Sequence, residues 1–192
     1  MALCENCKVD DADIYVTMLD GKSRQLCREC NNKITAEYAG INLTLFENGI
    51  YEFAGIRGNK HNFKIERIVY PMGIVYEAVE ITKDGTPGYR VAVMGHLDSE
   101  QQDLFLKLDA KIRKTVSKRY LGNRSIPYAG NQVVLKEDVA VGRFEYDEHN
   151  DGIHKVVIDG QEFSWDELGR MLSAYEGFQF KLEIYDISDD VE

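Results

Sequence analysis

Hydrophobic and polar positions change their period several times along the chain. Ile14 to Leu19 predicts a strand, Asp20-Gly21 a two-residue turn and Ser23 to Leu26 the returning strand of a hairpin. Asn31 to Ala39 predicts a short helix closed by Gly40. Strand patterns follow at Ile50–Ile56 and at Phe63–Tyr70, where Pro71 closes the run. Ile74–Ile81 and Tyr89–Met94 form a further hairpin around Lys83-Asp84-Gly85. Ser99 then opens a helix, with Gln102 as partner in a capping box. Its apolar residues Phe105, Leu108, Ile112, Val116 and Tyr120 fall within about 120° on a helical wheel, and Leu121-Gly122-Asn123 ends it. Residues 122–139 read as a connection with a short strand at Val133–Leu135.

The last third repeats the theme on a smaller scale. A strand around Phe144 and Tyr146 and another at Ile153–Ile158 flank a polar loop, and Asp159-Gly160 turns toward a second helix. Ser164 with Glu167 predicts a capping box at its start, and Phe163 with Leu168 a hydrophobic staple. Phe178, Phe180, Leu182 and Ile184 alternate with Gln179, Lys181, Glu183 and Tyr185, the pattern of a strand buried on one side. From Asp186 an acidic tail is expected. The class is α+β: a small N-terminal finger at residues 1–40, an antiparallel body with a basic helix 99–121 at residues 41–124, and a strand-strand-helix-strand unit at residues 125–192.

Composition adds limits. The 192 residues are 44% hydrophobic and 29% charged, normal for a chain with its own core. No apolar run approaches the roughly 20 residues that cross a bilayer, and Met1 to Glu5 lacks the basic and apolar regions of a signal peptide. A soluble, cytoplasmic protein without a membrane partner is expected. The net charge of −10 argues against coating nucleic acid with the whole surface. That average conceals an asymmetry: residues 99–124 hold seven basic against three acidic side chains, and residues 143–192 hold 14 acidic against four basic.

The most specific chemistry lies in the cysteines. All four fall within the first 30 residues, as Cys4-Glu5-Asn6-Cys7 and Cys27-Arg28-Glu29-Cys30, with nineteen residues between the pairs. Two C-x2-C turns at this separation suit a four-thiolate zinc site, and matched pairs in a reducing compartment weigh against disulfides. Four protein ligands leave no open position for water, so the expected Zn2+ is structural. Knuckle, hairpin, second knuckle and helix together resemble a treble-clef or zinc-ribbon finger over residues 1–40. Residues Ile158 to Ile184 resemble the C-terminal block of an uncharacterised bacterial and phage domain family, some members of which also carry an N-terminal cysteine knuckle pair. That resemblance implies no activity; it implies a phage or mobile-element setting in which such a protein acts by occupying a host component.

Beyond the cysteines, no catalytic motif is legible. His96 and Asp98 sit between a strand and a helix, a corner some enzymes use, but a loop surface with Asp98 or Ser99 capping the helix explains the same letters. His149 and His154 flank a polar loop that accounts for them without a second metal. Lys107, Lys111, Lys114 and Lys118 line one side of the basic helix as a candidate contact surface, and Arg119 falls on its apolar side, where it should lay its stem over the sheet or meet a carboxylate. The reading preferred from sequence is a zinc-binding, non-enzymatic adaptor with a protein partner. The alternative is a nucleic-acid-binding protein using the finger and the lysine stripe, and homo-oligomerisation is left open.

Overall fold

The computed structural model describes residues 2–8, 12–18, 21–83, 86–126, 130–147 and 152–191. Among the described residues three α-helices and several antiparallel pairings make the protein α+β, as the hydrophobic pattern implies. In chain order the elements are β1 (Ile14–Thr17), β2 (Ser23–Leu26), α1 (Arg28–Ala39), β3 (Gly49–Ala54), β4 (Lys60–Tyr70), β5 (Gly73–Glu80), β6 (Arg90–Gly95) and α2 (Gln101–Val116). They are followed by β7 (Leu121–Ile126), β8 (Gly130–Leu135), β9 (Gly142–Glu145), β10 (Lys155–Ile158), β11 (Gln161–Phe163) and α3 (Trp165–Leu172). β3 to β6 form one sheet in sequence order, β1 pairs β2, β7 pairs β8, and the last sheet runs β11-β10-β9. Two compact units divide the chain: residues 1–49, 65–77 and 92–108 in the first, and residues 50–64, 78–91 and 109–192 in the second.

In the first unit, β4 shows why one charged residue lies deep inside. Alternation along the strand buries Ile65, Arg67 and Val69, so a guanidinium occupies a core position and is only 2% exposed. It is stabilised by acceptors rather than by water. One terminal nitrogen donates to the Thr44 carbonyl (2.8 Å) and to Gln101 Oε1 (3.0 Å), and the group lies 5.5 Å from the centre of the Phe46 ring. Gln101 is itself buried at the start of α2, where it donates to the Asn42 carbonyl and accepts from Thr44. Phe46, Tyr76 and Phe105 meet edge to face around this hub. The Gln101 amide thereby ties residues 42–44 to β4.

The same stretch of β4 has an unusual ladder. β3 begins at Gly49, and the backbone N–H of Arg67 donates to the side chain of Asn48, one residue before it. Next along, the buried Asn32 of α1 donates to the Arg67 carbonyl (2.7 Å) and accepts from the Val69 N–H (3.0 Å). N–H and C=O groups of residues 67 and 69 point to one side of a strand. Two asparagine side chains thus continue the pairing where β3 stops, and one of them fixes α1 to the sheet.

In the second unit, two expectations are corrected. The basic helix stops at Val116, with Ser117 bonding back to the Arg113 and Lys114 carbonyls, instead of running to residue 121. Gly122 is no helix cap, because Leu121–Ile126 is a strand that pairs with Gly130–Leu135 over its full length. The local reason is Asp159, whose carboxylate accepts from the N–H groups of Tyr120 (2.9 Å) and Leu121 (2.8 Å) and redirects the chain. Residues 178–185 are corrected as well: they form no strand, and Phe178, Phe180, Leu182 and Ile184 stand exposed instead of buried. The α3 start agrees with expectation, since both bonds of the Ser164–Glu167 capping box are present. Val156, Ile158, Phe163 and Met171 form the small core of this region.

Candidate metal centre

Two turns and a hairpin bring the four cysteines together. In the first knuckle the Lys8 N–H returns to the Cys4 carbonyl (2.9 Å), and Lys8 takes a positive φ of 62° to close the turn. Glu5 secures it to β2, donating its N–H to the Gln25 carbonyl and accepting the Gln25 N–H on its carboxylate. β1 and β2 pair from Ile14 with Leu26 to Thr17 with Ser23. Gly21 turns the hairpin at φ 78°, while its expected partner in the turn, Asp20, lies outside the described residues. The second knuckle is the start of α1: Cys27 is the N-cap and Cys30 lies in the first turn, so the helix starts three residues earlier than its periodicity indicates. It ends as expected at Gly40, whose left-handed conformation lets the N–H groups of Gly40 and Ile41 satisfy the last carbonyls.

The four sulfurs lie within 4.8 Å of one another. Cys4, Cys27 and Cys30 are buried and Cys7 is partly so, packed among Ala12, Val16, Leu26 and Ile34. All four are free thiols: Cys7 and Cys27 stand 3.8 Å apart, far beyond a disulfide bond of about 2.05 Å. Tetrahedral coordination with metal–sulfur bonds of about 2.3 Å has an edge of about 3.8 Å, so this spacing fits a thiolate-bound ion. Asn6, inside the first knuckle, donates its side-chain amide to Cys30 Sγ (3.3 Å), a contact that favours thiolate over thiol.

The electrostatics point the same way. Burial, reinforced by the neighbouring sulfurs, pushes Cys27 up to about 12, and burial also raises Cys30. Burial acts on Cys4 too, but backbone N–H groups of Cys27, Cys7 and Asn6 outweigh it and hold that thiol down to about 6. Four thiolates this close repel one another, and a divalent ion among them supplies the charge that lets them be ionised together. The residues therefore can bind a metal ion through an all-sulfur donor set.

The remaining candidates are dispersed. Lys107, Lys114 and Lys118 are exposed, with Lys118 lying over the Tyr120 ring, whereas Lys111 is half-buried and donates to the Ile187 and Asp189 carbonyls beside Asp190. His96 and Asp98 are exposed on the turn before α2. His154 is exposed, and His149 lies outside the described residues.

One polar cluster of the second unit was missed from sequence. An open cleft of about 620 Å³ is lined by His61, Glu80, Tyr89, Arg119 and Asp159 among others. His61 Nδ1 and Glu80 Oε1 are 2.6 Å apart, Glu80 also accepts the Tyr89 N–H, and Arg119 bonds the Tyr89 hydroxyl. Burial, with the charges of Asp159 and Glu80, pushes the Tyr89 phenol up to about 12 against the influence of Arg119. Gly88 and Gly160, both at positive φ, approach so closely that a Cβ on Gly160 would stand 3.1 Å from Gly88 Cα. The Glu80 and Asp159 carboxylates are engaged by backbone N–H groups, so the cluster joins loops rather than presenting free acids. The signal was the period-two spacing of His61, Phe63 and Ile65, which places the imidazole on the core-facing side of β4.

Residues 44–117 match a family model described as a domain of unknown function (DUF7686), and residues 124–189 match another described as a domain of unknown function (DUF7713). The four-cysteine segment precedes both. No curated protein matches the chain, and no solved structure does. Among the described residues no helix is long and apolar enough to cross a membrane.

Proposed function

We propose that the protein is a non-enzymatic interaction module built on a structural zinc finger. In this reading Cys4, Cys7, Cys27 and Cys30 hold Zn2+ as four thiolates, and the ion supplies the folding energy that residues 1–40 lack as an apolar core. The observation that carries it is the buried four-sulfur cluster with a 3.8 Å edge and an amide donor to one sulfur. With every ligand supplied by the chain, no position is left for a reacting water. The finger is treble-clef-like in this reading, and the protein works in a reducing, cytoplasmic compartment where thiols remain available.

A protein partner is favoured over nucleic acid by the net charge of −10 and by Lys111, which is already committed to the C-terminal carbonyls. The test has two parts. Metal analysis of the protein purified without added metal should return about one zinc per chain, and cobalt exchange should give the charge-transfer bands of tetrathiolate coordination. Metal-free protein with four readily alkylated thiols overturns the zinc reading. A pull-down from native lysate, with and without nuclease, decides the partner class: proteins retained after nuclease support the adaptor reading, and partners lost with nuclease replace it by the nucleic-acid one.

A further inference from the structure

Residues 178–185 carry the alternation of a strand but belong to none of the described strands. Phe178, Phe180, Leu182 and Ile184 are 72%, 91%, 68% and 72% exposed. The chain is nevertheless held at both ends. Before it, the Phe178 N–H donates to the Tyr175 carbonyl, the two rings meet edge to face, and the Tyr175 hydroxyl donates to Asp138. After it, Asp186 accepts from the Ser188 N–H and hydroxyl, and Lys111 grips the Ile187 and Asp189 carbonyls. Lys181 pairs with Glu183, and the Tyr185 hydroxyl donates to Glu183, so residues two apart share a side as in an extended strand. The segment falls within the 124–189 family match and is not a loose end of the domain. Four apolar side chains alternate with polar ones on a strap tethered at both ends, the pattern of a strand whose neighbour is not among the described residues.

We infer that residues 179–185 pair antiparallel with the same residues of a second copy, about a twofold axis at Leu182. The charges choose both the occupant and the register. In an antiparallel pair, residues directly opposite share a face, and closure by a twofold makes each strand its own partner. Centred on Leu182, Lys181 of each chain lies opposite Glu183 of the other, Phe180 lies opposite Ile184, and the leucines face each other. Centred on Lys181 or on Glu183, two like charges meet at the axis. Centred between residues, polar positions fall opposite apolar ones and the alternation is lost. Centred on Phe180, no like charges meet, but Ile184 falls opposite Glu176 and neither Lys181 nor Glu183 faces an opposite charge; only the Leu182 register sets opposite charges across from each other. The inference is independent of the metal reading.

Charge exchange in the full-length, metal-loaded protein tests it, read by analytical ultracentrifugation from micromolar to a few hundred micromolar. Both charged side chains are at least half exposed, so the substitutions leave the fold intact. The unsubstituted protein should sediment as a dimer at the upper concentrations. Lys181→Glu or Glu183→Lys alone should weaken dimerisation at least tenfold, by setting like charges opposite each other. An equimolar mixture of the two single variants should restore a dimer containing one chain of each, since the acidic strand of one then meets the basic strand of the other; no effect confined to a single chain gives that result. A protein monomeric across the range overturns the inference, as does a dimer indifferent to both substitutions. A mixture no tighter than its components overturns the register and the proposal with it.

Discussion

Residues 2–40 and residues 121–191 are built from similar parts and held together differently. Each is an assembly of short strands and one helix around a small cluster of buried apolar side chains. In the first, buried sulfurs gather where an ion can join them, and Asn32 locks the helix to β4. In the second, a modest core around Val156, Ile158, Phe163 and Met171 coexists with half-exposed Phe144 and Trp165 and a fully displayed strap. One region closes on itself; the other leaves apolar side chains exposed.

The strongest way to break this contrast is to deny the cysteine cluster the ion it can bind. Cys27→Ser, or chelation, should cost the N-terminal segment most of its structure, on the order of 10 kcal/mol of metal-linked folding energy. Amide exchange is the measurement: protection should vanish from β1, β2 and α1 while β7 to β11 keep theirs. Equal loss in both regions would show that they do not fold as separately as the contrast holds.

A smaller effect is expected at the charged centre of the first unit. Arg67→Ala strands the acceptors of Thr44 and Gln101 and leaves a void, and urea unfolding should register a loss of about 3 kcal/mol. Arg67→Met fills the space without a charge and should recover most of it, because a buried guanidinium is costly to desolvate. If both variants lose the same amount, the hydrogen bonds rather than the cavity carry the effect. Asn32→Ala should cost about 1–3 kcal/mol and selectively loosen α1, since two backbone groups of β4 lose their partner.

The smallest prediction concerns the helix cap of the second region. Ser164→Ala should cost about 1 kcal/mol at neutral pH. The Ser164 N–H and hydroxyl hold the Glu167 carboxyl below its usual range. A depressed folded-state value means the contribution is complete above the ordinary glutamate pKa near about 4.3 and is lost as pH falls through the lower folded value. The difference in unfolding temperature between parent and variant should accordingly narrow below about pH 4. A difference constant down to pH 2 would assign the stabilisation to the serine hydroxyl alone.

Features made by nearby residues were legible in the sequence. The cysteine pairs, the Gly40 cap, the hairpin around Gly21 and the Ser164–Glu167 box are each encoded within a few positions, and each is present. What the sequence concealed depends on partners far along the chain. Helix α2 ends early because Asp159, some forty residues away, captures the N–H groups of Tyr120 and Leu121. Arg67 looks like one more surface charge until Thr44, Phe46 and Gln101 are brought around it. The alternation of residues 178–185 suggests a buried strand that the structure does not form, because period alone carries no information on whether a neighbouring strand and a covering layer exist in the chain.

The asparagines beside β4 have a consequence for handling and for life in the cell. Asn32 and Asn48 close the side of β4 at residues 67–69, where β3 no longer runs. If losing the ion withdraws α1, Asn32 leaves with it, and a stretch of unpaired backbone in an apolar strand is uncovered. Such an edge is a template for intermolecular growth. The ion would then guard against aggregation at a distance from its own ligands. Stripped protein should gain thioflavin-positive material over hours, and re-adding the ion before α1 is lost should prevent it.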